Sequence, residues 1–225
     1  MSSRIERGAR VISAALLICT AAFLAAPAQA GERVASLGNT TTSALPHVEH
    51  SSFAAVGAVT RAPIGWVDFC IEYKTECGTT RSQPRDIVLT ERAWADLVKV
   101  NNWVNRTIKP VTDLEHWGVV ERWNYPDDGY GDCEDYVLMK RRMLMQAGWP
   151  RQALLITVVR DKKGDGHAVL TVKTDRGEYV LDNQESEIVP WFRTGYRFVK
   201  RQSQSDPNTW VALGEPRAPV AVSAR

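Results

Sequence analysis

The sequence predicts an α+β fold, in which helices come first and antiparallel strands follow. Apolar residues recur at helical spacing over residues 90–106 and again over residues 132–148. Three extended segments then follow one another, separated by turn-forming residues. Strands that run consecutively, without helices between them, pair as antiparallel neighbours and are typical of the α+β class.

The first helix is predicted to begin after Thr90, whose hydroxyl can cap its free N–H groups, and to end near Arg106. Four apolar side chains fall on one of its faces: Trp94, Leu97, Val98 and Val104. Pro110 follows the end of this helix. Residues 113–130, which contain Trp117 and several turn-forming residues, are predicted to be irregular with short helical pieces.

The second helix is predicted to run from about Asp132 to Gly148, and Pro150 prevents its continuation. Five residues are predicted to form its buried face: Tyr136, Val137, Met143, Leu144 and Ala147. Three basic residues are assigned to its solvent-exposed face: Lys140, Arg141 and Arg142.

The predicted strands have the sequences ALLITVVR, HAVLTVKT and YVLDN, and they begin at Ala153, His167 and Tyr179. The first is almost wholly apolar, as in a buried strand, and the second alternates between apolar and polar residues. The turn-rich sequences DKKGDG and TDRGE join them. We therefore expect two or three consecutive antiparallel strands.

The first 30 residues have the pattern of a secretory signal peptide and are excluded from the fold. Three arginines precede a largely apolar run from Val11 to Ala26, and a small-x-small cleavage site ends at Ala30. The protein is therefore predicted to be exported, to the periplasm or beyond, without stable insertion into a membrane.

The mature chain is predicted to hold a single folded domain over residues 63–205. Residues 31–62 lack periodicity and are interpreted as a flexible leader. Residues 206–225 carry three prolines and are interpreted as a tail with room for one strand around Trp210.

Removal of the signal peptide leaves 25 basic and 25 acidic residues, so the mature chain has no net charge. Proteins that bind nucleic acids or anionic membranes normally carry a basic excess, so these classes are excluded. Export favours an oxidising compartment, in which Cys70 and Cys77 can form a local disulfide. Cys133 then remains as the odd thiol, which is either packed in the core or reactive.

Cys133 lies among the carboxylates of Asp132, Glu134 and Asp135 at the predicted start of the second helix. Nearby negative charge disfavours the thiolate, which is the reactive form. A helix N-terminus stabilises an anion by only about 0.3–1 kcal/mol at an exposed site, too little to offset three carboxylates. Asp132 and Asp135 are expected to cap the helix as a capping-box-like pair, and a cation is expected near the thiol.

His167 and Asp182 are the candidate general base and its orienting carboxylate. A tight turn between their strands would place Asp182 opposite Thr171 or Leu170. His167 would then lie about 10–13 Å further along, at about 3.3 Å per residue. A triad is therefore expected only if twist, a bulge or a wider loop closes this gap.

The segments GYGDCEDYVLMKRRML, GHAVLTV and YVLDN together resemble the bacterial transglutaminase-like cysteine peptidases, and the resemblance covers about residues 63–200. The upstream segments GWVDFCIEYKTECG and HWGVVERWNYPDDGYGDCEDY also resemble this family. The resemblance implies a papain-like, transglutaminase-like fold, with a thiol-bearing helix packed on an antiparallel sheet. It further implies Cys133 as nucleophile, His167 as general base and then acid, and Asp182 as the orienting residue.

The resemblance also implies calcium dependence, because a periplasmic family member that releases biofilm adhesins binds calcium through acids flanking its cysteine. Asp132 and Glu134 are the implied ligands, with Asp135 as a further candidate. Calcium prefers oxygen ligands and would make the local field positive, whereas without it these residues are capping and solvated acids. The implied partners are a protein substrate, such as a cell-surface adhesin, and an inner-membrane regulatory receptor.

The expected function is therefore cleavage of peptide bonds in a specific protein by an exported thiol hydrolase. The backbone N–H of Cys133 and a group near Trp117 are the candidate donors to the oxyanion. Two other functions fit the same residues. One is transglutaminase-type acyl transfer, and the other is a non-catalytic binding module that keeps Cys133 for packing.

Overall fold

The computed structural model of the chain describes residues 53–78 and 81–214. In this part of the chain the helices are α1 (Ile64–Glu72), α2 (Lys74–Cys77), α3 (Glu91–Thr107), α4 (Asp113–Trp117) and α5 (Cys133–Gln146). The strands are β1 (Val56–Thr60), β2 (Lys109–Pro110), β3 (Tyr130–Gly131), β4 (Leu154–Arg160), β5 (Gly166–Thr174), β6 (Gly177–Leu181), β7 (Val189–Pro190), β8 (Arg197–Gln202) and β9 (Trp210–Leu213).

Seven of these strands form one antiparallel sheet in the order β1-β9-β8-β4-β5-β6-β7. The short strands β2 and β3 pair separately and in parallel. Helix α5 packs on β5 and β4, and α3 packs on α5. The predicted α+β fold, with a helix on an antiparallel sheet, is confirmed. No helix in residues 53–78 and 81–214 is long and apolar enough to cross a membrane.

The predicted helices are present because their local sequence favours them. Thr90 caps α3, and its hydroxyl accepts a hydrogen bond from the Ala93 N–H at 3.1 Å. Helix α5 begins at Cys133 and ends at Gln146, just before Gly148, which adopts a left-handed backbone conformation with a φ of 89°.

The sheet separates two apolar layers, because successive side chains of a strand point to opposite faces. On one face, Ala168, Leu170 and Val172 of β5 pack in the large core that contains residues of α3 and α5. On the other face, Val169 belongs to a smaller core with Tyr196. His167 lies on the same side of its strand as Val169.

The prediction that Lys140 and Arg141 face solvent is wrong. Both side chains are buried, because α5 is covered by other elements as well as by the sheet. The Arg141 guanidinium donates to the Leu154 carbonyl and pairs with Glu76 of α2, so its charge is compensated in the interior. Arg142, in contrast, forms an exposed ion pair with Asp127.

Strand β1 corrects the boundary of the predicted leader. Residues Val56–Thr60 pair with β9 at the edge of the main sheet, although all five side chains are exposed. Trp210–Leu213 form β9, where a strand was predicted within the tail. The predicted signal peptide, its cleavage site at Ala30 and the first part of the leader lie outside the described residues.

The predicted disulfide between Cys70 and Cys77 is present and closes α1 onto α2, with 5.5 Å between the Cα atoms. Glu76, one residue before Cys77, lies 3.7 Å from the Arg141 guanidinium and 3.8 Å from that of Arg151. The segment closed by the disulfide is therefore linked to α5, the helix that begins at Cys133, through the Glu76–Arg141 ion pair.

Candidate active site

Cys133 is the first residue of α5 and carries a free, half-buried thiol. The thiol donates a hydrogen bond to Oε2 of Glu134 at 3.0 Å. Burial raises the pKa of the thiol well above its usual value, and the carboxylates of Glu134 and Asp132 raise it further. A hydrogen bond from the Ala168 N–H acts in the opposite direction. The Cys133 sulfur therefore lies against Ala168, the residue that follows His167 in β5. The raised pKa favours the protonated thiol.

His167 and Asp182 form the second part of the site. Nε2 of His167 lies 2.8 Å from Oδ1 of Asp182, and both side chains are buried. The Tyr196 hydroxyl donates to Oδ2 of Asp182 at 2.6 Å, and the Gln184 N–H donates to Oδ1 at 3.0 Å. Burial acts to raise the pKa of Asp182, but these donors and the nearby imidazole outweigh it and lower the pKa.

The expected gap between His167 and Asp182 is not present. Leu170 pairs with Leu181, so continuing the register places Asp182 opposite Val169 rather than opposite Leu170 or Thr171. His167 is then a diagonal neighbour on the same face of the sheet. Diagonal positions lie about 7–8 Å apart, which long and aromatic side chains span.

The hydrogen bond to Asp182 defines the chemistry of the imidazole. A neutral ring that donates its Nε2 proton to the carboxylate leaves Nδ1 as the nitrogen that can accept a proton. Nδ1 lies 3.4 Å from the side-chain amide of Gln184, and the ring packs edge-on against Tyr196 with 5.8 Å between centroids. The imidazole is thus carried by the strand residue next to Ala168, whose N–H contacts the Cys133 sulfur at the start of α5.

Several residues that support this pair were not predicted from the sequence. Tyr196 and Gln184 bind Asp182 directly, and Asn105 of α3 donates to the Asp182 carbonyl at 2.7 Å. Their positions depend on where α3 packs in the fold and on the path of the chain after β6, which local sequence patterns do not reveal.

An acidic cluster adjoins Cys133. Carboxylate oxygens of Asp113, Asp132 and Glu134 all lie within 4.8 Å of one another. Burial is the main cause that raises the pKa of Glu134 to about 9 and that of Asp132 to about 6, and repulsion between carboxylates adds to both. Asp113 was not predicted, because its closeness to the other two is created by the fold.

The donor set of this cluster fits a hard cation. Oδ1 of Asp132 is buried and has no hydrogen-bond partner among the described residues, although a buried carboxylate oxygen without a partner is costly. Three carboxylates at one point form the oxygen-rich environment that Ca²⁺ prefers. Asp132 and Glu134, the implied ligands, are thus joined by Asp113.

The expected capping box at the start of α5 is only half formed. Asp132 occupies the N-cap position, but its side chain makes no capping hydrogen bond. Asp135 accepts hydrogen bonds from the Asn124 N–H, at 2.9 Å, and from the Asp132 N–H. Burial raises the pKa of Asp135 to about 8. Asp135 therefore links the chain around Asn124 to the start of α5. Its Oδ1 accepts the hydrogen bond from the Asn124 N–H.

Lys140 lies two turns after Cys133 on α5 and is fully buried. Its ammonium nitrogen has no hydrogen-bond partner among the described residues and lies 6.0 Å from the Tyr136 ring centroid. Burial lowers the pKa of Lys140 to about 7, while the Asp182 carboxylate partly opposes that shift. A buried cationic group therefore lies within electrostatic reach of the residue that orients His167.

Comparison with protein families matches residues 56–218 to the family described as bacterial transglutaminase-like cysteine proteinase. The match covers β1 to β9 and includes Cys133, His167 and Asp182. A comparison with curated proteins finds none that matches.

Solved structures of LapG from Legionella pneumophila are also similar to the chain. The calcium-bound form is 25% identical, with a TM-score of 0.47, over 58% of this chain and 75% of that chain. A second LapG structure is 27% identical, with a TM-score of 0.45, over 53% and 68% of the two chains. The EGTA-treated form is 27% identical, with a TM-score of 0.45, over 55% and 72%.

Proposed function

The chain belongs to the bacterial transglutaminase-like cysteine proteinases and is a cysteine peptidase that acts on a protein substrate; from this premise we propose that Cys133, His167 and Asp182 are its catalytic triad. The observation that carries the proposal is the 2.8 Å hydrogen bond between His167 and Asp182. It leaves Nδ1 of the imidazole unprotonated, 3.4 Å from the side-chain amide of Gln184, while the Cys133 sulfur contacts the next residue of the same strand.

In the proposed mechanism, Nδ1 of His167 takes the thiol proton and the Cys133 thiolate attacks the carbonyl carbon of the scissile peptide bond. The resulting imidazolium is stabilised by Asp182. It then protonates the leaving amine as the tetrahedral intermediate collapses to a thioester. Water, activated by the neutral imidazole, hydrolyses the thioester and regenerates the thiol.

We assign the Cys133 backbone N–H as one donor to the oxyanion of the tetrahedral intermediate. The first N–H groups of a helix have no partner within the helix and point towards its N-terminal end. Such donors stabilise the negative charge that develops on the carbonyl oxygen. Trp117, the other sequence candidate, has its ring stacked against His116 and covered by Arg122, so we assign it no role as a donor.

We also propose that Asp113, Asp132 and Glu134 hold a calcium ion. Three carboxylates within 4.8 Å, with one buried oxygen lacking a partner, support this assignment. Bound Ca²⁺ would supply positive charge that offsets the effect of these carboxylates on the Cys133 thiol. Its charge would thereby favour the thiolate without a direct role in proton transfer.

We propose that the enzyme acts outside the cytoplasm, in the periplasm or beyond, and that a cell-surface adhesin is its substrate. The predicted signal peptide, with its three arginines and apolar run, supports export. The mature chain has a net charge of zero, which gives no reason to expect nucleic-acid partners. An inner-membrane receptor that regulates the enzyme is part of the same proposal and follows from the family resemblance.

Alkylation of Cys133 tests the triad without requiring a known substrate. We expect iodoacetamide to label the wild-type protein at pH 7.5 at least about tenfold faster than His167→Ala, because the imidazole promotes thiolate formation. Cys133→Ala provides the unlabelled control. Equal and slow labelling of the wild type and His167→Ala would refute the catalytic assignment.

Cleavage is tested by incubating bacterial envelope proteins with the wild type or with Cys133→Ser and comparing the fragments by mass spectrometry. We expect new protein termini only with the wild type. Cross-linked products that form when a primary amine is added would instead identify acyl transfer, because an amine would then replace water in attacking the thioester.

A further inference from the structure

Five large apolar side chains are exposed around α4 and on β3. They are Leu114 (64% exposed), Trp117 (39%), Val119 (43%), Val120 (88%) and Tyr130 (41%), and we call them the apolar ridge. His116 connects two of them, because its ring stacks on Trp117 at 4.0 Å and lies 6.0 Å from Tyr130. Large exposed apolar patches on soluble proteins commonly mark interaction sites.

The ridge is held in a defined conformation. Trp117 is stacked against His116, and the Arg122 guanidinium lies 4.5 Å from its ring centroid. His116 is in turn fixed by Asp128, with Nε2 2.9 Å from the carboxylate. A ring that is already ordered loses little conformational entropy when a partner binds, so this surface is preorganised for contact.

The start of α4 is fixed as well. The Thr112 hydroxyl accepts a hydrogen bond from the Glu115 N–H, and the Glu115 carboxylate accepts one from the Thr112 N–H, both at 3.3 Å. This complete capping box holds the first turn of α4. Leu114 lies within that turn, so its exposure is a property of an ordered helix.

The chain that carries the ridge adjoins the N-terminal end of α5, where Cys133 lies. Asp113, the first residue of α4, accepts a hydrogen bond from the Arg122 N–H. Its carboxylate also lies within 4.8 Å of those of Asp132 and Glu134, which flank Cys133. Two residues after Arg122, the Asn124 N–H binds Asp135 at 2.9 Å. The chain that carries the ridge is thus tied at both ends to the N-terminus of α5.

We propose that the apolar ridge is a docking surface for large apolar side chains of the protein substrate, on one side of the bond that is cleaved. This inference rests on the proposed function of Cys133. The chain that carries the ridge adjoins the carboxylates that flank Cys133, so a peptide bound at the thiol can extend along it. A second copy of the chain seated there would compete with that peptide, so we assign the ridge to the substrate.

Cleavage profiling tests this proposal with a defined probe, a library of peptides made by trypsin digestion of bacterial envelope proteins. We expect the wild type to cleave peptides enriched in large apolar residues on one side of the scissile bond. Val120→Asp places a charge on the ridge and should reduce cleavage of these peptides about fivefold or more, mainly through KM, because ground-state and transition-state binding are lost together.

Val88→Asp is the matched control. Val88 is 68% exposed, but it lines a cleft with Ala147 and Gly148, beyond the C-terminal end of α5. We expect it to keep the wild-type cleavage profile. Iodoacetamide labelling of Cys133 should proceed at the wild-type rate in both variants, which shows that folding and thiol chemistry are intact.

The possible outcomes separate the two proposals. Cleavage without any apolar preference, or an identical profile for Val120→Asp and the wild type, would overturn the ridge proposal and leave the triad in place. No cleavage of any peptide by the wild type, together with equal and slow labelling of Cys133 in the wild type and His167→Ala, would overturn both. A wild-type dimer that Val120→Asp dissociates in sedimentation velocity would overturn substrate docking and assign the ridge to self-association.

Discussion

His167 of β5 and Asp182, the residue directly after β6, are two positions out of direct register and are nevertheless joined by a 2.8 Å hydrogen bond. Asp182 also accepts a hydrogen bond from the Tyr196 hydroxyl at 2.6 Å. These contacts hold the imidazole with Nε2 directed at the carboxylate. The tautomer that is protonated on Nε2 and unprotonated on Nδ1 is therefore favoured. The proposed role of His167 as a base depends on that tautomer.

Asp182→Asn should lower kcat by about 10³-fold or more. The asparagine amide can donate to Nε2, which moves the ring proton to Nδ1 and removes the basic nitrogen that receives the thiol proton. The measurement is steady-state cleavage of a substrate peptide, with thermal unfolding as the check on folding. A kcat within threefold of wild type would exclude Asp182 as the orienting residue.

Tyr196→Phe is the matched control for that change, because it removes one hydrogen bond to Asp182 but leaves the carboxylate and the tautomer. We expect a smaller loss of kcat, about 10- to 100-fold, since one hydrogen bond to a charged group contributes about 1.5–3 kcal/mol. A loss as large as that of Asp182→Asn would mean that Tyr196, and not the charge of Asp182, orients the ring.

Calcium should stabilise the protein and EGTA should reverse this effect. At a free calcium concentration 100 times Kd, binding to the folded state alone adds about 2.7 kcal/mol. For a domain of this size that raises Tm by roughly 5–10 °C, which differential scanning fluorimetry can measure. Chelation should also slow iodoacetamide labelling of Cys133, because the uncompensated carboxylates raise the thiol pKa.

Variants and pH test the proposed calcium site. Asp113→Asn should weaken calcium binding, whereas Asp68→Asn, at an exposed carboxylate outside the cluster, should not. Affinity should also fall between pH 8 and pH 5.5, because the raised pKa values of Glu134 and Asp132 allow protons to compete with calcium. Isothermal titration calorimetry with no heat at millimolar calcium would contradict the assignment.

Lys140→Met should stabilise the protein, and more so at low pH. Burial lowers the pKa of Lys140 from 10.5 to about 7, so between these values the unfolded chain binds a proton that the folded chain does not. The wild type therefore gains stability as pH rises through this window. We expect the variant to gain roughly 2 kcal/mol or more at pH 6, and progressively less towards pH 10.

Urea unfolding at several pH values measures this difference. Lys99→Met, on the exposed side of α3, is the control and should show no comparable pH-dependent gain. If Lys140→Met has the same advantage at pH 6 and pH 10, then protonation of Lys140 is not coupled to folding. Activity measured in parallel shows whether removing the cation near Asp182 also alters the pH profile of kcat.

The elements with a strong local pattern were predictable from sequence. Helix α3 has a capping Thr90 and a regular apolar stripe, and β4, β5 and β6 combine apolar patterns with turn-forming residues. Cys133 was singled out as a free thiol at a helix start in a protein expected to be exported, and the family resemblance supported His167 and Asp182 as its partners; their catalytic roles stay a prediction, although His167 and Asp182 do lie in contact.

Features that depend on distant parts of the chain were not predictable. Strand β1 is exposed along its whole length, so it has no apolar alternation, and only pairing with β9 reveals it. The charges of Lys140 and Arg141 suggested exposure, but α5 is enclosed by elements remote in sequence. Asp113 joins Asp132 and Glu134 only through the fold, because some twenty residues separate them along the chain.

Removal of the disulfide by the double substitution Cys70→Ala and Cys77→Ala should cost about 2.5 kcal/mol, the value that the chain-entropy model gives for a loop of this size. Urea unfolding with and without reductant measures this cost. Reductant should destabilise the wild type and leave the double variant unchanged. Equal urea midpoints for the two proteins would mean that the crosslink adds no stability.

Two sulfur centres in the molecule thus require opposite treatment. Cys133, the proposed nucleophile, must stay reduced to react, whereas the Cys70–Cys77 crosslink must stay oxidised to constrain α2, which carries Glu76 beside Arg141 of α5. Thiol reagents that restore activity to an air-oxidised preparation would, at higher concentration, reduce the Cys70–Cys77 disulfide and weaken the packing of α2 beside α5. Activity should therefore pass through a maximum as dithiothreitol is titrated, and storage buffers for this enzyme need a moderate redox potential.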